Sequence, residues 1–283
     1  MTDRYAVFGN PIGHSKSPRI HALFAAQTGQ DISYQAILAE RDGFAAAVNA
    51  FIAASGGLAR GANVTVPFKE EAFRLATRRT PRAEAAGAVN TLSFDAGIIT
   101  GDNTDGAGLV RDLTNNLGCD PAGRRILLLG AGGAARGVIL PLLLEGPTEL
   151  VIANRTEETA ARLALEFANS FARLPGCAVT VKPDGMGFAS LAGRQFELVI
   201  NATSAGLSGD ALPLPAGVFA PRCVAYEMVY GRETPFMNQA RAAGARVADG
   251  LGMLVEQAAE AFFIWRGVRP RTAPVLAALA KIP

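Results

Sequence analysis

Between Ile126 and Leu144 a short apolar run, Ile126-Leu-Leu-Leu129, meets three glycines within four residues and then continues mainly apolar to Leu144. A β-strand, a glycine turn and a helix satisfy this pattern together, and few other local structures do. The turn, Gly130-Ala-Gly-Gly-Ala-Ala135, has the G-x-G-x-x-A form. Gly130 is expected to allow the tight turn and Gly132 to let a pyrophosphate approach the backbone. Small Ala135 is expected to let the helix pack on its strand, while helix amides from Gly133 and Ala134 onward face the phosphates. A membrane span is a poor reading of the same stretch, because the glycines, Arg136 and Pro141 interrupt it.

The next strand, Leu150-Val-Ile-Ala153, ends in Asn154-Arg155-Thr156. An NAD-specific site would place an acid here to hold the ribose diol; the acid is missing. The planar donors of Arg155 suit a 2′-phosphate, with Asn154 and Thr156 completing the pocket, so NADP is the expected cofactor. The competing arrangement is an arginine that pairs with Glu157 or Glu158 at the strand end. Further strands at Glu197 to Asn201 and Cys223 to Glu227, with helices between, extend the βαβ rhythm toward a doubly wound parallel sheet.

A chain of 283 residues exceeds the size at which one core stops growing, so two lobes with a ligand cleft between them are expected. The first hundred residues alternate strand-like and helix-like pieces, and small polar residues cluster at Thr100 to Gly106 before a helix over Leu109, Leu113 and Leu117. Nothing strand-like follows the last helices, Leu251 to Arg266 and Pro274 to Ala280, so they are expected to return to the first lobe. The expected organisation is α/β: a substrate-binding lobe over 1–105 plus 252–283, and a Rossmann-type domain over 106–251. Dispersed basic residues and a net charge of +2 argue against nucleic acid as a partner. Cys119, Cys177 and Cys223, with only His14 and His21, give no metal-ligand spacing. An odd number of cysteines and a start lacking the pattern of an export signal lead to the expectation of a cytoplasmic protein.

In Asn63-Val-Thr-Val-Pro-Phe-Lys69, Asn63 and Thr65 share a strand face and Lys69 follows just past Pro67. A lysine beside a carboxylate can give and take a proton when a carbonyl is reduced or an alcohol oxidised. Spacing leaves both Asp102 and Asp105 open as its partner. Ser17 before Pro18 reads as a helix cap.

From its first residues to its last, the chain resembles the shikimate dehydrogenase family. The resemblance rests on Phe8 to Pro18, Asn63 to Lys69, Gly87 to Thr91, Gly101 to Gly106, Gly130 to Ala135, Asn154 to Thr156, Asn201 to Ser204, and Asp249 to Met253 with Gln257. It implies reversible NADP-linked interconversion of 3-dehydroshikimate and shikimate, on the route to aromatic amino acids. Carried over by position, Lys69 is the proton donor and acceptor and Asp105 its partner. Ser15 and Ser17 hold the substrate carboxylate, and Asn63, Thr65, Asn90, Tyr230 and Gln257 bond the substrate. Gly130, Ala131, Gly132, Gly133, Ala134, Asn154, Arg155, Thr156, Thr203, Met228 and Gly250 line the cofactor. A methionine in a strand is also ordinary core packing, so Met228 keeps both readings. The chain departs from the family pattern at Thr159, where a second basic residue is common, and at Glu227 before Met228. The resemblance leaves a monomer and a homodimer both open. The readings that compete with an NADP enzyme are an NAD-preferring quinate/shikimate dehydrogenase and a sensor that binds shikimate without redox activity.

Overall fold

A computed structural model of the chain describes residues 1–171, 179–205 and 209–280; Cys177 lies outside them. The chain divides into two units, Met1–Gly108 with Leu254–Pro283, and Leu109–Met253. In the first unit the elements run β1 (Asp3–Gly9), α1 (Ser17–Thr28), β2 (Ile32–Leu38), α2 (Phe44–Ala54), β3 (Ala59–Val64) and α3 (Lys69–Leu75). There follow β4 (Arg78–Arg79), α4 (Pro81–Ala86), β5 (Thr91–Asp95), β6 (Ile98–Asp102) and α5 (Asp105–Arg111). The sheet order is β2-β1-β3-β5-β6-β4. β1 is parallel to β2 and β3, whereas β5 lies antiparallel to both β3 and β6. This sheet is therefore mixed. The β5–β6 hairpin turns on Ala96 and Gly97 with φ of 46° and 80°, both left-handed, which matches the twist of paired strands. Its two ends carry Asn90-Thr91 and Asp102 to Asp105 toward β3, and so build the site.

In the second unit come β7 (Arg125–Leu129), α6 (Gly133–Leu144), β8 (Glu149–Asn154), α7 (Glu157–Phe171), β9 (Asp184–Gly187) and β10 (Phe196–Asn201), then β11 (Phe219–Glu227), α8 (Pro235–Ala242) and β12 (Arg246–Ala248). The order β9-β8-β7-β10-β11-β12, with every pair parallel, reads 3-2-1-4-5-6, the order of a dinucleotide-binding sheet. Ile126 to Leu129 and Leu150 to Ala153 are wholly buried, which is why these strands are continuously apolar rather than alternating. The helix expected over Leu109 to Leu117 is not one continuous α-helix. α5 ends at Arg111 and a π turn takes Asp112–Asn116, where buried Asp112 accepts a 2.6 Å bond from the Tyr226 hydroxyl. The wider turn accommodates that inward carboxylate.

The last helices are α9 (Leu251–Arg266) and α10 (Ala273–Leu279). Within the first unit, Phe262 of α9 packs edge-on to Phe24 of α1, and Trp265 donates to the Leu92 carbonyl of β5 at 3.0 Å. On the opposite face of that sheet, Phe44 stacks on Phe68 with centroids 5.1 Å apart, which fixes the turn that leads into Lys69. Among the described residues no helix is long and apolar enough to cross a membrane.

Candidate active site

Lys69 is the first residue of α3, where a cation faces the positive end of the helix dipole and gains nothing from it. Its Nζ instead donates to Asp105 Oδ2 at 2.5 Å, with both side chains largely shielded from water. Asp105 opens α5, an end that favours an acid, and its amide donates to Asn103 Oδ1 at 3.1 Å. The contact with Lys69 thus belongs to Asp105. Asp102 is engaged elsewhere: Arg82 grips it through two bonds of 2.6 and 2.7 Å, and Thr80 donates to it at 2.6 Å. Arg82 also reaches Glu260 at 3.1 Å, which braces the Gly101 to Gly106 loop against α9.

Asn90, buried, is the hub of the site. Its Nδ2 donates to Asp105 Oδ1 at 2.7 Å and to Thr104 Oγ1 at 3.0 Å, while its Oδ1 accepts from the Thr104 amide at 2.8 Å and the Thr91 hydroxyl at 2.9 Å. Gln257 Oε1 lies 3.3 Å from both Asn90 Nδ2 and Thr104 Oγ1. Asn63 is engaged within the protein: its Nδ2 donates to the Asn90 carbonyl and to Thr91 Oγ1, and its Oδ1 accepts from Tyr34, which leaves that oxygen room for one further donor. Thr65 differs, for among the described residues its half-buried hydroxyl makes no hydrogen bond.

At the start of α1 the expected cap is corrected. Ser17 is the first helical residue rather than the cap, the capping position is Lys16, and no side chain caps the helix. Ser15 Oγ accepts from the Ser17 amide at 3.3 Å instead. Since Pro18 brings no amide to be satisfied, the buried Ser17 hydroxyl is not needed as a cap. Burial holds the Tyr34 phenol well above its ordinary pKa.

In the second unit, Gly130 has φ of 102°, and a Cβ there would lie 3.1 Å from the Ala202 carbonyl oxygen. Gly132 has ordinary backbone angles and nothing within 4 Å of a Cβ, so neither conformation nor packing inside the protein requires glycine there. Gly132, Gly133 and Ala134 are the exposed part of a region whose next turns, from Ala135 to Leu143, are mostly buried. A flat, bare approach to unsatisfied helix amides is what a pyrophosphate needs, and these residues fit it. Ala131, half-buried, completes the turn.

Arg155 is exposed and, among the described residues, makes no ion pair; neither Glu157 nor Glu158 engages it. Asn154 Nδ2 donates to the Thr156 carbonyl at 3.0 Å, shaping the loop that presents the guanidinium. Across the switch from β7 to β10, Asn201 Oδ1 accepts from the amide and hydroxyl of Thr203 at 3.1 and 2.7 Å. Asn201 Nδ2 donates to buried Glu227 at 2.7 Å, and Thr234 donates to the same carboxylate at 2.8 Å. Among the described residues Glu227 meets no cation, and burial raises its pKa. Met228 and Tyr230 follow it, both half-buried, and burial raises the Tyr230 phenol as well. At Gly250 a Cβ would lie 2.1 Å from the Met228 carbonyl oxygen, so this glycine has a packing reason of its own.

Tyr34, Thr91, Thr104, Arg82 and Glu260 belong to the site's framework and follow from no motif reading. Thr91 and Thr104 lie within the Gly87–Thr91 and Gly101–Gly106 motifs, whereas Tyr34 is a polar aromatic in an edge strand with no motif around it. Among the described residues no group of His, Cys, Asp and Glu could hold a metal.

Three family models match the chain: "Shikimate dehydrogenase substrate binding domain" over residues 7–92, "Shikimate / quinate 5-dehydrogenase" over 112–181, and "Shikimate 5'-dehydrogenase C-terminal domain" over 250–280. A shikimate dehydrogenase (NADP(+)) from Dechloromonas aromatica is 63% identical over 282 residues, which cover 99% of this chain and 98% of that one. An Ael1 enzyme from Pseudomonas putida is 48% identical with a TM-score of 0.89, covering 100% of this chain and 99% of that one. A shikimate 5-dehydrogenase from Thermus thermophilus, solved with NADP(H) and shikimate, is 32% identical with a TM-score of 0.83 and covers 99% of each chain. With its 3-2-1-4-5-6 sheet, its bare glycine turn and relatives up to 63% identical along nearly its whole length, the chain belongs to the shikimate dehydrogenase family.

Proposed function

We propose that this chain catalyses the reversible NADP-linked interconversion of shikimate and 3-dehydroshikimate, with Lys69 and Asp105 acting at the reacting hydroxyl. The observation that carries the reading is the Lys69–Asp105 contact of 2.5 Å, set beside Asn90 and Gln257 and within one unit. Met1–Gly108 with Leu254–Pro283 holds the substrate; Leu109–Met253 holds the cofactor. A cytoplasmic setting suits such a biosynthetic step.

In oxidation, Lys69 Nζ accepts the hydroxyl proton as the carbon gives up its hydride, and in reduction it returns that proton to the carbonyl oxygen. Asp105 holds the lysine in place and is itself fixed by Asn90, so the pair is organised before substrate arrives. Ser15 and Ser17 offer hydroxyl donors to the substrate carboxylate, while Asn63, Thr65, Asn90, Gln257 and Tyr230 bond or border its ring hydroxyls. Bound NADP supplies the ring that accepts or donates hydride. Gly130 to Ala134 would hold its pyrophosphate, and Arg155 with Asn154 and Thr156 its 2′-phosphate. Thr203, Met228 and Gly250 would border its nicotinamide.

Lys69→Ala is expected to lower kcat by at least about a hundredfold, within the range of a lost acid/base group, while shikimate binding measured by calorimetry weakens less than tenfold. Turnover within twofold of the unsubstituted enzyme would overturn the role given to Lys69.

A further inference from the structure

Glu227 ends β11 wholly buried, without a cation among the described residues. A carboxylate so placed is costly unless hydrogen bonds compensate it, and here donors arrive from separate segments. Oε2 accepts from Asn201 Nδ2 at 2.7 Å and from the Thr234 hydroxyl at 2.8 Å, while Oε1 accepts from the Val229 amide at 3.1 Å. None of these partners can reverse its role. A backbone amide only donates. Asn201 is held in one orientation because its Oδ1 accepts from the Thr203 amide at 3.1 Å, so its Nδ2 must face Glu227. Thr234 Oγ1 accepts from the Met237 amide at 3.3 Å as the cap of α8, and its proton goes to Glu227. Both carboxylate oxygens therefore stand where only acceptors serve, and an amide side chain would turn its NH2 against a donor.

Two of these donors lead to pieces that the functional reading sets beside the nicotinamide. Beyond Asn201, whose Oδ1 also takes the Thr203 hydroxyl proton at 2.7 Å, lies the Ala202–Thr203 turn. A Cβ on Gly130 would come within 3.1 Å of both the Ala202 carbonyl oxygen and the Thr203 methyl, so that turn is packed on the glycine turn. Beyond Val229 lies Gly250, whose amide donates to the Val229 carbonyl at 3.2 Å and whose Cα is pressed against the Met228 carbonyl. The sheet does not need the carboxylate to join its strands. β10 and β11 are already paired up to Asn201 and Glu227, and the Met228 amide donates to the Asn201 carbonyl at 3.0 Å. What the carboxylate adds is a fixed setting for the two loops that follow those strands, all within Leu109–Met253.

We propose that Glu227 is a positioning residue for the nicotinamide end of the cofactor site, holding Thr203 through Asn201 and Met228 through the Val229 amide. The proposal rests on the functional reading above, in which Thr203, Met228 and Gly250 border that ring. Losing an acceptor at Glu227 releases the Asn201 side chain to turn, and Thr203 loses its setting with it. Arg155 follows β8, apart from this network, so the adenosine end of the site keeps its own support.

The test compares Glu227→Gln with the unsubstituted enzyme by steady-state kinetics and by calorimetry. The calorimetric ligands are NADP and adenosine 2′,5′-bisphosphate, which carries the 2′-phosphate but no nicotinamide. With both substrates saturating, kcat is expected to fall at least about tenfold, because the ring is no longer set at the reacting carbon. NADP should bind about fivefold more weakly, while KM for shikimate and the affinity for the bisphosphate stay within about twofold. Glu227→Asp, which keeps an acceptor at both oxygens, should turn over at least about threefold faster than Glu227→Gln. An aspartate variant no better than the glutamine one would overturn the proposal. So would Glu227→Gln kinetics within about twofold of the unsubstituted enzyme, or bisphosphate affinity that falls in step with NADP affinity. If Glu227→Gln does not fold, Asn201→Ala, which cuts the Thr203 branch alone, is read by the same measurements against the same limits. Lys69→Ala, run alongside, separates the two ideas. If it retains turnover, the functional reading fails. If it is inactive while Glu227→Gln matches the unsubstituted enzyme, only the Glu227 proposal fails.

Discussion

His21 shows how far a single side chain can be removed from water in this fold. It is wholly buried, and burial pushes its imidazole down to about 3, with the nearby Asn63 side chain offsetting only part of the effect. In the unfolded chain the same ring titrates near ~6.5. Above that pH both states are neutral and the group is silent. As the pH falls from about 6.5 toward about 3, the unfolded chain takes up a proton that the native state refuses, so stability is lost with acidification by roughly 1.4 kcal/mol per pH unit. His21→Phe keeps a flat ring and removes the titration. Denaturant unfolding at pH 6.5 and 4.5 should show the unsubstituted protein losing roughly 2 to 3 kcal/mol more than the variant over this interval. Equal acid sensitivity of the two proteins would contradict the account. At this scale the sequence left most open. Spacing could not choose between Asp102 and Asp105, because the choice depends on Arg82 and Thr80 drawing Asp102 to the far side of its loop. Ser17 read as a cap because serine before proline has that geometry in most helices, whereas here Ser15 serves the Ser17 amide.

The glycine turn before α6 separates two kinds of glycine, and the difference can be measured. Gly130→Ala forces a side chain onto a φ of 102° and toward the Ala202 carbonyl oxygen, a strain of roughly 1 to 3 kcal/mol. Gly132→Ala meets no atom within 4 Å and should leave stability within about 0.5 kcal/mol. Its methyl would stand in the proposed path of the pyrophosphate, so KM for NADP should rise about tenfold. Thermal unfolding and cofactor titration of both variants check the contrast. If Gly132→Ala binds NADP normally, the bare turn is not the phosphate cradle. This turn was legible because a buried strand, three glycines and an apolar helix leave little choice. The β5–β6 hairpin was not. Its strands are short, and its turn uses Ala96-Gly97 rather than the Asn-Gly or Asp-Gly pair that usually marks such a turn. That hairpin nevertheless delivers Asn90, Thr91 and Asp105 to the site, so the framework of the site was less legible than the cofactor turn.

For the whole molecule, length alone argued for two cores, and the two sheets each enclose one. The parallel sheet followed from the βαβ rhythm, since strands buried on both faces are continuously apolar. The mixed sheet did not, because antiparallel β5 enters through contacts remote in sequence, with Gly61 to Asn63 of β3 facing Thr91 to Ser93. The central claim is that one unit prepares a hydroxyl for oxidation while the other receives an NADP cofactor through Gly130 to Ala134 and Arg155. The most direct measurement follows nicotinamide absorbance after the purified protein is mixed with shikimate and either NADP or NAD. The account predicts prompt reduction of NADP, with NAD reduced at least about tenfold less efficiently because it lacks the 2′-phosphate that Arg155 is proposed to hold. Absence of reduction with either cofactor, although calorimetry shows shikimate bound, would contradict it.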